Sequence, residues 1–161
     1  MIRTMTVTGL IFSLCLTGTA MAADAVVTDE VVIALVDKVA AEIEKDAPGT
    51  FGKINAGTHP YKDKDDPGHY VFVYDTDVNM VAHPDKNLVG KNVKGKPDPK
   101  GKKFRDEIVE GALKTKTGWV TYVYKKPDSA GLFEKKSYFK LASGSDGKKY
   151  VVTCGKYLDK K

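Results

Sequence analysis

Apolar positions fall first on a helical period. Val32, Leu35, Val36, Val39 and Ile43 recur at i, i+3, i+4 and i+7 behind Thr28, a residue suited to an N-cap, which predicts a helix over residues 28–46. Pro48-Gly49 reads as its stop, Thr50 to Gly57 is too short to assign, and residues 59–68, rich in Pro, Asp, Lys and Gly, read as a surface loop. The period then changes to two. Tyr70 to Asp75 and Val78 to His83 predict two strands around the turn Asp75-Thr76-Asp77, and Pro84 ends the second because proline donates nothing to a ladder. Residues 85–102, with three glycines and two prolines, read as a long loop. Phe104, Ile108, Val109 and Ala112 mark one side of a second helix over residues 104–114. Three strands close the pattern at residues 119–125, 136–142 and 149–155, joined by turns at Pro127-Asp128 and Gly144-Ser145-Asp146-Gly147.

This order is an α+β arrangement: a five-stranded antiparallel sheet, a long N-terminal helix on one face, and a loop-helix lid over the other. A lid of one loop and one short helix leaves room for a pocket beneath it.

The first 22 residues change the picture of where this domain works. Arg3, the apolar run Leu10 to Leu16 and Ala20-Met21-Ala22 have the three zones of a cleaved secretory signal, and the run is shorter than the roughly 20 apolar residues a membrane span needs. Cys15 does not sit in a lipidation context, because Leu14 stands where a small residue is required. Cleavage after Ala22 leaves 139 residues, enough for one domain with a real core (residues 23–161), and no later segment is expected to enter a membrane. The expected location is the periplasm.

The mature chain carries 25 basic and 21 acidic residues, net +4, with the lysines scattered among Gly, Pro and Asp. That distribution reads as a solvated surface and not as a nucleic-acid patch. One cysteine, Cys154, excludes an internal disulfide framework, and His59, His69 and His83 lack metal-site spacing. No cofactor is called for. Catalytic signatures such as G-x-S-x-G are absent, so binding is favoured over turnover; a Cys154-His83 pairing in space stays open.

Several phrases in this layout resemble the single Cache domain, the PAS-like extracytoplasmic sensor module of bacterial chemoreceptors and histidine kinases. They are Tyr70-Val-Phe-Val-Tyr-Asp75, Val81-Ala-His-Pro84 followed by Asn87-Leu-Val-Gly-Lys-Asn92, and Gly101-Lys-Lys-Phe104. Then come Gly118-Trp-Val-Thr-Tyr122, Lys125-Lys-Pro127, Lys135-Lys-Ser-Tyr138 and Cys154-Gly-Lys-Tyr157, so the resemblance covers roughly residues 30–158. Where such domains usually have an Asp-Gly turn between the first two strands, this chain reads Asp77-Val78. The resemblance implies a pocket for a small anion, often a short carboxylate or amino acid, between sheet and lid. With no membrane segment or effector after the sheet, the expected mode of action is through a partner, a membrane sensor kinase or chemoreceptor.

Strand parity sorts the candidate ligand-binding residues. Val120, Tyr122 and Tyr124 share one face of their strand, as Lys136, Tyr138 and Lys140 do of theirs. Phenols and ammonium groups on a lid-covered face are what a small anion needs, which singles out Tyr122, Tyr124, Tyr138 and Lys136; the alternative for the tyrosines is cross-strand packing. Arg105, the only arginine after cleavage against 24 lysines, offers a bidentate fork for a carboxylate, or else an exposed pair with Asp106 or Glu107. His83 stands where the lid departs and is placed either to bond a ligand or to tie down the loop. Cys154 alternates with Tyr150 and Val152, which makes it a buried thiol. An interaction module without ligand and a small exported thiol enzyme are the alternative functions.

Overall fold

The computed structural model describes residues 27–127 and 129–158. The signal-peptide expectation for residues 1–22 lies outside these, as does Asp128 of the expected hairpin turn. Helix α1 (Asp29–Lys45) starts at the cap residue Thr28, whose hydroxyl accepts from the Val31 N–H, with Asp29 and Glu30 in the first turn where the helix dipole favours negative charge. Pro48-Gly49 does not end the helical region. It opens a second helix, α2 (Ala47–Asn55), because proline in a first turn gives up an N–H that has no partner there, and Asp46 caps it by accepting from Gly49 N–H. Strands β1 (Val71–Asp75) and β2 (Met80–Ala82), helix α3 (Phe104–Thr115), and strands β3 (Thr117–Lys125), β4 (Leu132–Ser143) and β5 (Lys149–Tyr157) follow. The sheet is wholly antiparallel in the order β2-β1-β5-β4-β3, so the second and third strands in sequence are its two edges.

Alternation along the strands divides the interior in two. Val71 and Val73 of β1 and Val152 and Cys154 of β5 face α1, packing with Val32, Val36, Val39 and Ile43. Each such fully buried aliphatic side chain contributes about 1.5–3 kcal/mol. The residues between them, Phe72, Tyr74 and Val151, face the other way, against α3 and the segment before it. Helix α3 comes close to the sheet because Gly111 and Gly118 flank the ring of Phe139; a Cβ at either would lie 2.7 or 2.6 Å from its Cζ.

Residues 85–103 are irregular yet firmly held. At one edge, Gly90 donates to the Met80 carbonyl, Met80 to that of Lys91, and Val93 to that of Val78. At the other edge, Asp98 accepts from the Val123 N–H at 2.8 Å, and Lys102 Nζ donates to the Thr121 carbonyl. The segment therefore crosses the open face of the sheet as a strap hooked to both edge strands, which also blunts edges that would otherwise be free to pair. Val78 takes a left-handed φ of 63°, the position of the Asp77-Val78 departure. Its side chain is buried in the strap-side core, and the roughly 1.5–3 kcal/mol from that burial offsets the ~1–2 kcal/mol that an L side chain costs there.

Candidate functional site

Beneath the strap lies a chamber of about 730 Å³. The residue before β1, the residue after β2, β3 and the start of α3 supply its inner wall: Tyr70, His83, Tyr124, Phe104, Arg105 and, from the strap, Leu88. The same six residues continue into a recess of about 20 Å³, room for one water, whose walls add Phe72, Tyr74, Met80 and Tyr122.

Arg105 spans both spaces. Its guanidinium lies over the Phe104 ring, 4.2 Å from the centroid, and 5.8 Å from that of Tyr124. One nitrogen donates to the Lys96 carbonyl at 3.3 Å, and the buried Tyr74 shares the recess wall with Arg105. Among the described residues no carboxylate stands within ion-pair distance of it. The surface pair with Asp106 or Glu107 is not formed, because Asp106 accepts from the Gly95 N–H and Glu107 pairs with Lys102 at 3.1 Å. An aromatic-backed guanidinium without a carboxylate retains N–H donors for an incoming anion.

His83 does two things at once. Its backbone N–H donates to Asn55 Oδ1, and its ring Nδ1 accepts from the Asp85 N–H at 2.8 Å, which ties down the start of the strap. Because Nδ1 accepts, the neutral ring carries its proton on Nε2, leaving an N–H donor on a residue that lines the chamber. Burial pushes the imidazole down to about 4, helped by the positive charge of Lys135, so it is neutral at ordinary pH.

Of the sequence candidates, the structure brings together Arg105, His83 and Tyr124 around the chamber. Tyr122 lies deeper, in the recess wall, stacked on Phe104 at 3.7 Å with its hydroxyl 3.0 Å from Ser137 Oγ. Tyr138 and Lys136 are on the opposite face, and the reason is register. Residues paired across antiparallel strands share a face, and Tyr122 pairs with Lys135, Val120 with Ser137, Thr121 with Lys136 and Trp119 with Tyr138. Tyr138 therefore packs beside Trp119 in the core under α1, and Lys136 ion-pairs with Asp29 at the start of α1 with its ammonium 4.2 Å from the Trp119 ring. The expectation that these two join Tyr122 under the lid is corrected accordingly.

Lys135, and not Lys136, shares the face of Tyr122. It is fully buried, donates to the Gly68 carbonyl at 3.1 Å, and holds its ammonium 3.8 Å from the centre of the Tyr70 ring, behind the chamber wall. Burial lowers its amine to about 8. Tyr70 itself, which lines both spaces, was also missed, since it opens a strand whose alternation does not say which face is covered.

Cys154 is fully buried on the α1 side, 3.6 Å from His69 Nδ1, and burial pushes its thiol up to about 12. That makes it a weak nucleophile, and the sheet separates it from the chamber. The Cys154-His83 pairing is thus not formed; His83 is a chamber residue and His69 is the thiol's neighbour. No group of three or more His, Cys, Asp or Glu side chains among the described residues is arranged to hold a metal ion.

Comparison with known proteins adds to this geometry. The family model of the Cache domain matches residues 34–160. Among solved structures, a periplasmic sensor domain of a chemotaxis protein is 25% identical, with a TM-score of 0.61 over 81% of this chain and 90% of its own. A structure described as the basis for carboxylic acid recognition by a Cache chemosensory domain is 21% identical, TM-score 0.63, over 81% and 92% of the two chains. A methyl-accepting chemotaxis protein from Vibrio parahaemolyticus RIMD 2210633 is 19% identical, TM-score 0.56, over 81% and 80%. No curated protein matches the chain.

Proposed function

The chain belongs to the Cache domain family, and from that premise we propose that it is an exported sensor domain, residues 23–161 after loss of a signal peptide, that takes a small carboxylate or amino-acid-like anion in the chamber under the strap. Occupancy is reported through a partner protein, a membrane sensor kinase or chemoreceptor. The observation that carries this reading is Arg105: a guanidinium backed by Phe104, without a carboxylate partner, on a wall it shares with the Tyr70 and Tyr124 phenols and the neutral His83. Tyr122 contributes from below by holding Phe104 flat. The open volume favours a binding domain over an interaction module with a filled pocket, and the buried thiol gives no support to catalysis.

A thermal-shift panel of carboxylates and amino acids on the mature protein tests this, since a ligand that binds only the folded state raises its apparent stability by RT ln(1 + [L]/Kd). At least one acid is expected to raise the melting temperature at millimolar concentration, and Arg105→Ala is expected to weaken it at least tenfold. A flat response across the panel, or an Arg105→Ala protein that binds as well as the parent, overturns the reading.

A further inference from the structure

The shape and lining of the chamber say more about its occupant than that it is an anion. Arg105 is the one cation shared by the recess and the chamber; Lys62, Lys125 and Lys126 line the chamber alone. An acid group therefore seats at the boundary between the two spaces. The rest of the molecule cannot continue inward, because the recess holds about 20 Å³ and is closed by the Phe104–Tyr122 stack. It must lie outward in the 730 Å³ chamber, a volume within the range of about 300–1,000 Å³ typical of ligands much larger than a two- or three-carbon acid.

Outward, the walls are apolar and stiff. Five of the chain's seven prolines line the chamber: Pro67, Pro84, Pro97, Pro99 and Pro127. Prolines supply no N–H donors, and Leu88, Leu132 and the face of Tyr124 add further apolar surface. An ammonium group on the ligand body would meet Lys62, Lys125 and Lys126 on this wall and lose water against mostly apolar surface, which disfavours it. The two carboxylates on the wall do not change this. Asp98 already accepts from the N–H groups of Lys100, Lys102 and Val123, and Asp85 is solvent-exposed and accepts from the Asn87 N–H.

Resting on the anion-binding reading above, we infer that the occupant is a monocarboxylate with an apolar body of about a ring's size, an arylalkanoate, held by its carboxylate at Arg105 and by its ring among the prolines and Tyr124. Calorimetric titration of the mature protein with acetate, butyrate, hexanoate and 3-phenylpropionate, with succinate, phenylalanine and 3-phenylpropionamide as controls, tests it. Affinity is expected to rise about three- to fourfold per added methylene. The phenyl acid is expected to bind at least a hundredfold tighter than acetate and at least tenfold tighter than phenylalanine or the neutral amide. Leu132→Ser, a neutral change at an exposed position on the rim, is expected to weaken 3-phenylpropionate several-fold more than it weakens acetate. Acetate, succinate or phenylalanine binding as tightly as the phenyl acid overturns the inference and leaves the anion reading standing. The amide matching the acid overturns the anion reading instead, and silence from every compound overturns both.

Discussion

The Lys135 ammonium is held out of water by Tyr70, Phe72 and Tyr157 and, among the described residues, donates to one carbonyl, that of Gly68. Desolvation is the main reason its amine falls from the ordinary 10.5 to about 8. Since the folded value is depressed, the charged form is disfavoured by folding: the penalty is complete below about pH 8 and is relieved as pH rises towards 10.5. At 1.36 kcal/mol per pKa unit it is on the order of 3 kcal/mol. Lys135→Met keeps the apolar stem and removes the charge, so it is expected to raise stability at pH 7 by about 1–3 kcal/mol. It should also abolish the parent's gain between pH 8 and 10 in chemical denaturation. A variant less stable than the parent at pH 7, with the alkaline gain intact, would show that the amine is paid back elsewhere. The adjacent Lys135-Lys136 pair explains why the sequence pointed to the wrong lysine. Parity put Tyr122 and Tyr124 together correctly, but no feature within one strand says how it registers with the next, and a slip of one residue exchanges the two faces. Arg105 and His83 were legible because their chemistry is rare in this chain, whereas their partners Lys96, Asp85 and Asn55 were not.

At the scale of elements, the strap is as much part of the sheet as the strands are. Asp98 is its hook on β3: one oxygen accepts from Lys100 and Lys102, the other from Val123, an edge-strand N–H pointing away from β4. Burial works against its charge, but those backbone N–H groups outweigh it and hold the carboxyl below the usual range. Its contribution is thus present above about pH 4 and lost as pH falls through the lowered value. Asp98→Ala is expected to cost about 1–3 kcal/mol, to speed hydrogen exchange at the Val123 and Lys102 amides, and to weaken ligand binding because the strap carries Leu88 and the prolines of the wall. Unchanged exchange at Val123 would mean the edge is satisfied without the hook. Helices with clear periodicity, α1 and α3, and all five strands were readable within a few residues. The strap's attachment was not, because hooks made by backbone groups and one aspartate follow no period. Helix α2 was hidden for a different reason: Pro48 is a stop in the middle of a helix and a start in its first turn, and only Asp46, capping three residues ahead of Gly49, separates the two.

For the molecule as a whole, the sheet separates a fastening side from the side that holds the chamber. On the first, α1 is clamped through Asp29 to Lys136 and Lys156, and through Asp37 to Lys140, in addition to its apolar stripe. On the second, lysines that look dispersed in sequence converge: Lys62 from the loop before β1 and Lys125 and Lys126 from the end of β3 all line the chamber. Half-exposed or exposed, they hold a bound anion weakly, since exposed ion pairs contribute little. Their field extends about a Debye length into solvent, however, roughly 10 Å at 0.1 M salt, and raises the rate at which anions arrive. On the proposed reading, lysines at the rim and an arginine at the base divide capture from retention. Stopped-flow binding of an anionic ligand is expected to show an association rate that falls several-fold between 0.02 and 0.5 M salt, with dissociation nearly constant. The double variant Lys125→Glu, Lys126→Glu should lower association and flatten that salt dependence, while Arg105→Ala should raise dissociation. If the rim variant changed dissociation and left association alone, the lysines would be ligand contacts, and the division of labour between mouth and base would be wrong.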